Sequence, residues 1–127
     1  MTRLLVDTHA LLWWLDDDAA LSPAARAAIA NPGNSPLVSA ASVWEMAIKR
    51  SLGKLRLPDD VPATILDAGF EWLAVSAAHA WDVRRLPLHH RDPFDRLIVA
   101  QALVEPMVLI TTDVRLGAYP GTIEVIE

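Results

Sequence analysis

Cysteine is absent from this 127-residue chain, which excludes disulfides, thiolate nucleophiles and zinc-thiolate centres and suits a reducing compartment. No apolar run reaches the roughly 18 to 20 residues needed to cross a bilayer. The opening segment, MTRLLVDTHALLWWLDDD, does not read as a secretory signal, because Asp7 breaks the apolar stretch and no small-residue cleavage site follows. A cytoplasmic protein without membrane association is the expectation. A bulk excess of positive charge is lacking too: the formal charge of −5 argues against a protein that coats nucleic acid by electrostatics alone. There is no Gly-rich phosphate loop and no Gly-x-Ser-x-Gly elbow, and neither His9 nor His79 has the i, i+4 partner of a helical zinc motif.

What is present is apolar residues in quantity, 53% of the chain, enough for one substantial core and a single domain over residues 1–127. Basic residues are local. Lys49, Arg50, Lys54 and Arg56 form one cluster, and Arg84, Arg85, Arg91 and Arg96 form another beside His89 and His90. Each cluster is either a patch available to nucleic acid or a solvated helix end.

Strand-like and helix-like patterns alternate along the chain, the mark of βαβ units around a parallel sheet. Strands are expected at Arg3 to Val6, Pro36 to Ser39, Phe70 to Val75, Met107 to Thr111 and Thr122 to Ile126. Helices are expected at Thr8 to Leu15, from the Ser22 cap to Asn31, at Ala40 to Leu52, Pro58 to Ala68, Ala77 to Leu86, and from the Asp92 cap to Val104. Gly53 can close its helix in a left-handed cap.

Four acids stand where an apolar stretch gives way to a turn or a helix: Asp7, Glu45, Asp95 and Asp113. Strands in parallel share one carboxyl edge, where open α/β sheets place their ligands. Carboxylates gathered there repel unless a cation or shared protons neutralise them. Oxygen-only donors suit Mg²⁺ or Mn²⁺, which can lower the pKa of a bound water and offset charge on a phosphodiester under attack. Each acid also has a structural reading. Asp7 can cap the first helix, Ser42-Val43-Trp44-Glu45 matches a capping box, and Asp92-Pro93-Phe94-Asp95 supplies a cap and a first-turn acid. Asp113 can be a turn aspartate. Leu11, Leu12, Trp13, Trp14 and Leu15 cannot all face one side of a helix, so some flank the core on both sides or meet a partner.

Taken together, LLVDTHALLWWL, VSAASVWEMAIKRSLGKLRLP, HHRDPFDRLIVAQAL and LITTD resemble the PIN-domain nucleases, in particular the VapC toxins of bacterial toxin-antitoxin pairs, over nearly the whole chain. The resemblance implies a PIN-like three-layer α/β fold with a five-stranded, mostly parallel sheet flanked by helices. It implies an endoribonuclease whose Mg²⁺ or Mn²⁺ is held by Asp7, Glu45, Asp95 and Asp113, with Asp92 as an accessory and RNA as substrate. It further implies a small antitoxin partner, a homodimer and toxin-antitoxin hetero-oligomers. Arg96 and Thr112 are near enough in sequence to position phosphate or support the acids, and Arg96 could equally pair with a carboxylate. The competing reading is a non-catalytic protein-binding module whose acids only cap helices. A haloacid-dehalogenase-type phosphatase is set aside because position 9 is His rather than Asp, and a receiver domain because the last lysine is Lys54.

Overall fold

The computed structural model describes residues 2–87, 92–112 and 125–126. Along the chain run β1 (Thr2–Val6), α1 (Thr8–Leu15), α2 (Pro23–Ala30), β2 (Asn34–Ser39), α3 (Ala40–Ser51), α4 (Val61–Asp67), β3 (Glu71–Leu73), α5 (Ala77–Asp82), α6 (Pro93–Val104), β4 (Val108–Ile110) and β5 (Val125–Ile126). Five strands form one sheet in the order β3-β2-β1-β4-β5, and every pairing is parallel. The expected α/β architecture with a parallel five-stranded sheet is therefore the observed one.

The alternation of side chains along β1 builds the layers. Leu4 and Val6 join Val38, Ile110, Leu11, Met46 and Ile65 on one face. Leu5 points the other way, to Leu37, Leu109, Ile98 and Val99. Period-2 alternation on strands that are apolar on both sides forces helices onto both faces. Hence α1 to α4 cover one face and α6, with Leu86, covers the other. Half-buried Leu12, Trp13, Trp14 and Leu15 pack against the first cluster, while Leu11 lies wholly inside it.

Sheet order also fixes where a ligand can sit. From β1 the chain winds outward to β2 and β3, then crosses back to β4 and β5, so the winding reverses between β1 and β4. At such a reversal the crossover helices diverge to opposite faces and leave a crevice at the carboxyl edge. Asp7 leaves β1 at that edge and keeps the ladder going, its N–H donating to the Ile110 carbonyl at 2.9 Å.

Several boundaries differ from the sequence expectation for local reasons. The fourth helix begins at Val61 rather than Pro58, because the Asp60 carboxylate accepts from the Ala63 N–H at 3.1 Å and Pro62 suits the first turn. The third strand spans only Glu71–Leu73. The fifth helix closes at Asp82 and tightens into a 3₁₀ turn at Val83–Arg85. The final strand is described only at Val125–Ile126. The rest of the expected Thr122–Ile126 segment, and the turn region between Thr112 and that strand, lie outside the described residues.

Gly53 does close α3, at φ 71°. Its N–H donates to the Arg50 carbonyl at 3.0 Å and the Lys54 N–H to the Lys49 carbonyl at 2.9 Å, the paired bonds of a Schellman cap. A Cβ at Gly53 would meet no atom within 4 Å, so only backbone strain opposes it. Gly53→Ala should cost about 1 kcal/mol in a chemical-denaturation midpoint.

Candidate metal centre at the carboxyl edge of the sheet

Asp7 is the N-cap of α1 and is buried, at 3% exposure. One carboxylate oxygen accepts from the Ala10 N–H at 2.8 Å, and the other accepts from the Thr111 hydroxyl just past β4. Burial raises its pKa above the ordinary carboxylate value, against the opposing pull of Thr111, Ala10, the His9 charge and the Thr112 N–H. Among the described residues, no cationic side chain forms an ion pair with it. A carboxylate buried in this way costs free energy unless a proton or a cation neutralises it.

Glu45 corrects the capping-box expectation. The N-cap of α3 is Ser39, whose hydroxyl accepts from the Ala41 N–H at 3.1 Å, so Glu45 falls in the second turn and its side chain caps nothing. Instead the buried carboxylate accepts from the Thr8 hydroxyl at 2.7 Å through Oε1 and from the Lys49 ammonium at 2.7 Å through Oε2. Thr8 also contacts the buried Ser42 hydroxyl at 2.9 Å. Because Thr8 follows Asp7 directly, this hydroxyl bridge ties the second acid to the first.

Asp92 caps α6, accepting from the Phe94 N–H at 2.9 Å, with Pro93 in the first turn and Asp95 as its first-turn acid. Trp44 and Phe94 meet edge to face with ring centroids 5.1 Å apart. Each ring immediately precedes one of the acids, so this contact sets α3 and α6 together beside Glu45 and Asp95. Asp113, with His89, His90 and Arg91, lies outside the described residues. Among the described residues no three Asp, Glu or His side chains form a metal-binding group. The structure thus joins Asp7 to Glu45 and puts Asp95 on the neighbouring helix start. If Asp95 acted only on the helix dipole, Asp95→Asn should lower stability by about 0.3 to 1 kcal/mol; thermal melts measure this directly.

Arg96 and His79 are both engaged by other parts of the chain. Arg96 is tied to backbone, its Nη1 donating to the Pro87 carbonyl at 3.1 Å and Nη2 to the Val83 and Leu86 carbonyls at 3.2 and 3.3 Å. It anchors the segment that ends at Pro87. His79 is buried: it accepts from the Ser76 N–H at 3.0 Å through Nδ1 and lies 2.7 Å from Glu105 through Nε2. The residues that sequence reasoning missed are Thr8, Ser42, Lys49 and Thr111. The i, i+4 spacing of Glu45 and Lys49 was the available signal.

A five-stranded parallel sheet with helices on both faces and the buried, hydrogen-bonded carboxylate of Asp7 at its winding reversal defines an α/β domain. The PIN domain profile matches residues 4–121, and the chain belongs to that family. It is 30% identical over 130 residues to Ribonuclease VapC22 of Mycobacterium tuberculosis, covering 94% of this chain and 93% of the relative. The fold is similar to that of the VapBC2 crystal structure from Rickettsia felis, determined with a promoter DNA fragment, at TM-score 0.72, 13% identity and 98% coverage of both chains. It is likewise similar to a toxin-antitoxin complex from Klebsiella pneumoniae, at TM-score 0.64 and 20% identity, covering 98% of this chain and 96% of that one.

Proposed function

We propose that this chain, acting as one PIN-like domain over residues 1–127, is the endoribonuclease toxin of a toxin-antitoxin pair and requires Mg²⁺ or Mn²⁺. The observation that carries the reading is buried Asp7, fixed at both oxygens, without a cationic partner among the described residues and joined through Thr8 to buried Glu45. The donors are all oxygens, which fits a hard divalent cation, and Asp95 and Asp113 would complete the set with Asp92 as accessory. Such an ion, when bound, neutralises phosphate charge and lowers the pKa of a coordinated water.

The protein's own contribution is orientation. The Ala10 N–H and the Thr111 hydroxyl hold the Asp7 carboxylate, and Thr8 holds Glu45, so neither has to be ordered on binding substrate. Relatives named as a ribonuclease and as a toxin-antitoxin complex support the activity and an antitoxin partner; a small antitoxin, and homodimers or mixed oligomers as the assembly, belong to the same proposal. No helix among the described residues is long and apolar enough to cross a membrane; the RNA acted on is proposed to be cytoplasmic.

The reading is tested by incubating purified protein with RNA and Mg²⁺ or Mn²⁺. Cleavage is expected, and its suppression by a co-expressed small protein from the adjoining reading frame is expected too. Intact RNA under both metals would favour the non-catalytic binding module.

A further inference from the structure

A cavity of about 390 Å³ opens between α1 and the C-terminal end of α3, with Lys49, Lys54, His9 and Trp13 in its wall. Lys49 and Lys54 are the only lysines of the chain, and both line this one groove. Their meeting is built by the cap of α3: the turn at Gly53 brings the Lys54 N–H back to the Lys49 carbonyl. The groove meets the candidate metal centre through Lys49, whose ammonium rests on Glu45 with about a third of its side chain still exposed.

We infer that this groove is the track for a single strand of RNA leading to the acids, with Lys49 and Lys54 on successive phosphates and a base stacked against Trp13. The inference rests on the proposed nuclease function and adds the substrate form and the residues that hold it. Paired ammonium groups beside an aromatic ring match what single-strand grooves use, charge along the backbone and a π-face for the base. Trp13 is half-buried and packed on the core, so the ring is already ordered before a base arrives. Asp16 and Asp18 line the same cavity, and Asp18 is already committed to the Ala20 N–H at 2.8 Å. Their negative charge repels phosphate and bounds the track on that side. Both oxygens of Glu45 are partnered in the present state. Transfer of Lys49 to a phosphate therefore frees one of them as substrate arrives.

The test measures binding of a labelled single-stranded RNA by fluorescence anisotropy, in EDTA, across a salt series. Compared are the wild type, a Lys49→Gln/Lys54→Gln double variant, Lys54→Arg and Arg3→Gln. Arg3 lies four residues before Asp7 on β1 and controls for net charge. Circular dichroism verifies folding. The slope of log affinity against log salt should shrink by about 1.4 in the double variant, near 0.7 per lysine, and remain unchanged in the other two. Trp13→Leu should weaken binding roughly tenfold while Trp13→Phe stays near wild type. RNA should also protect both lysines of the wild type from acetylation. Steady-state cleavage by Lys54→Gln should show a raised KM with kcat nearly unchanged.

A double variant with the wild-type slope and affinity, or unprotected lysines, would overturn the track. So would lysine variants that handle RNA normally but lose only an antitoxin, since the groove would then belong to that partner. These failures leave Asp7-dependent cleavage standing. Absence of any cleavage by the wild type with Mg²⁺ or Mn²⁺ would instead remove the proposed function.

Discussion

Asp7→Asn is expected to reduce divalent-dependent RNA cleavage by at least about a hundredfold, since removing even an outer-shell partner of a metal ligand commonly costs 10 to 100-fold. The substitution preserves shape and still offers an oxygen to the Ala10 N–H, so loss of activity would report loss of charge rather than loss of the α1 cap. Glu45→Gln should behave in the same direction, because the amide oxygen can still accept from Thr8 while the charge that holds Lys49 disappears. The same RNA with EDTA added sets the floor. Full activity in Asp7→Asn would remove that residue from the centre, and cleavage indifferent to chelator would end the metal mechanism.

The placement of Asp7 was legible because its signal is local and periodic at once. Three apolar residues followed by an acid and a helix pattern can be read without knowing what packs where. Glu45 was named as a site residue, with a capping box as its structural alternative. Ser39 and Ser42 are both competent caps, and the end of β2 at Ser39 with the helix start at Ala40 excludes that alternative. Thr8, Ser42 and Thr111 were invisible as site residues, since hydroxyls are common everywhere and these meet their partners across 34 to 104 positions of sequence. Likewise, nothing in the Ala77 to Leu86 pattern shows that His79 would be buried against Gln101 and Glu105, which are brought there by α6. Lys49 entered the sequence reading only as part of a basic cluster. Its pairing with Glu45, and its sharing of a groove with Lys54 and Trp13, are tertiary facts.

Asp7 also carries a stability prediction in which capping and metal binding pull in opposite directions. Its folded-state pKa is raised by burial from the 3.8 of an unperturbed aspartate. The native state therefore keeps a proton that the unfolded chain has already released. Across that window, from about 3.8 up to the raised folded value, folding stability falls as pH rises. Above it the full penalty of a buried charge remains. Metal-free wild type should thus lose stability between acid and neutral pH through this group, and Asp7→Asn should flatten that part of the profile. At neutral pH the variant should melt at or above the wild type, provided the lost acceptor for Thr111 costs less than the removed charge. Mn²⁺ should reverse the order. At a hundredfold excess over its Kd a ligand specific for the native state adds about 2.7 kcal/mol, and that gain should appear in the wild type and largely vanish in the variant. Melts of both proteins from pH 4 to 8, with and without Mn²⁺, make the comparison. A metal-free variant less stable than wild type at every pH, with an undiminished Mn²⁺ shift, would mean that Asp7 serves α1 as a cap and the cation binds elsewhere.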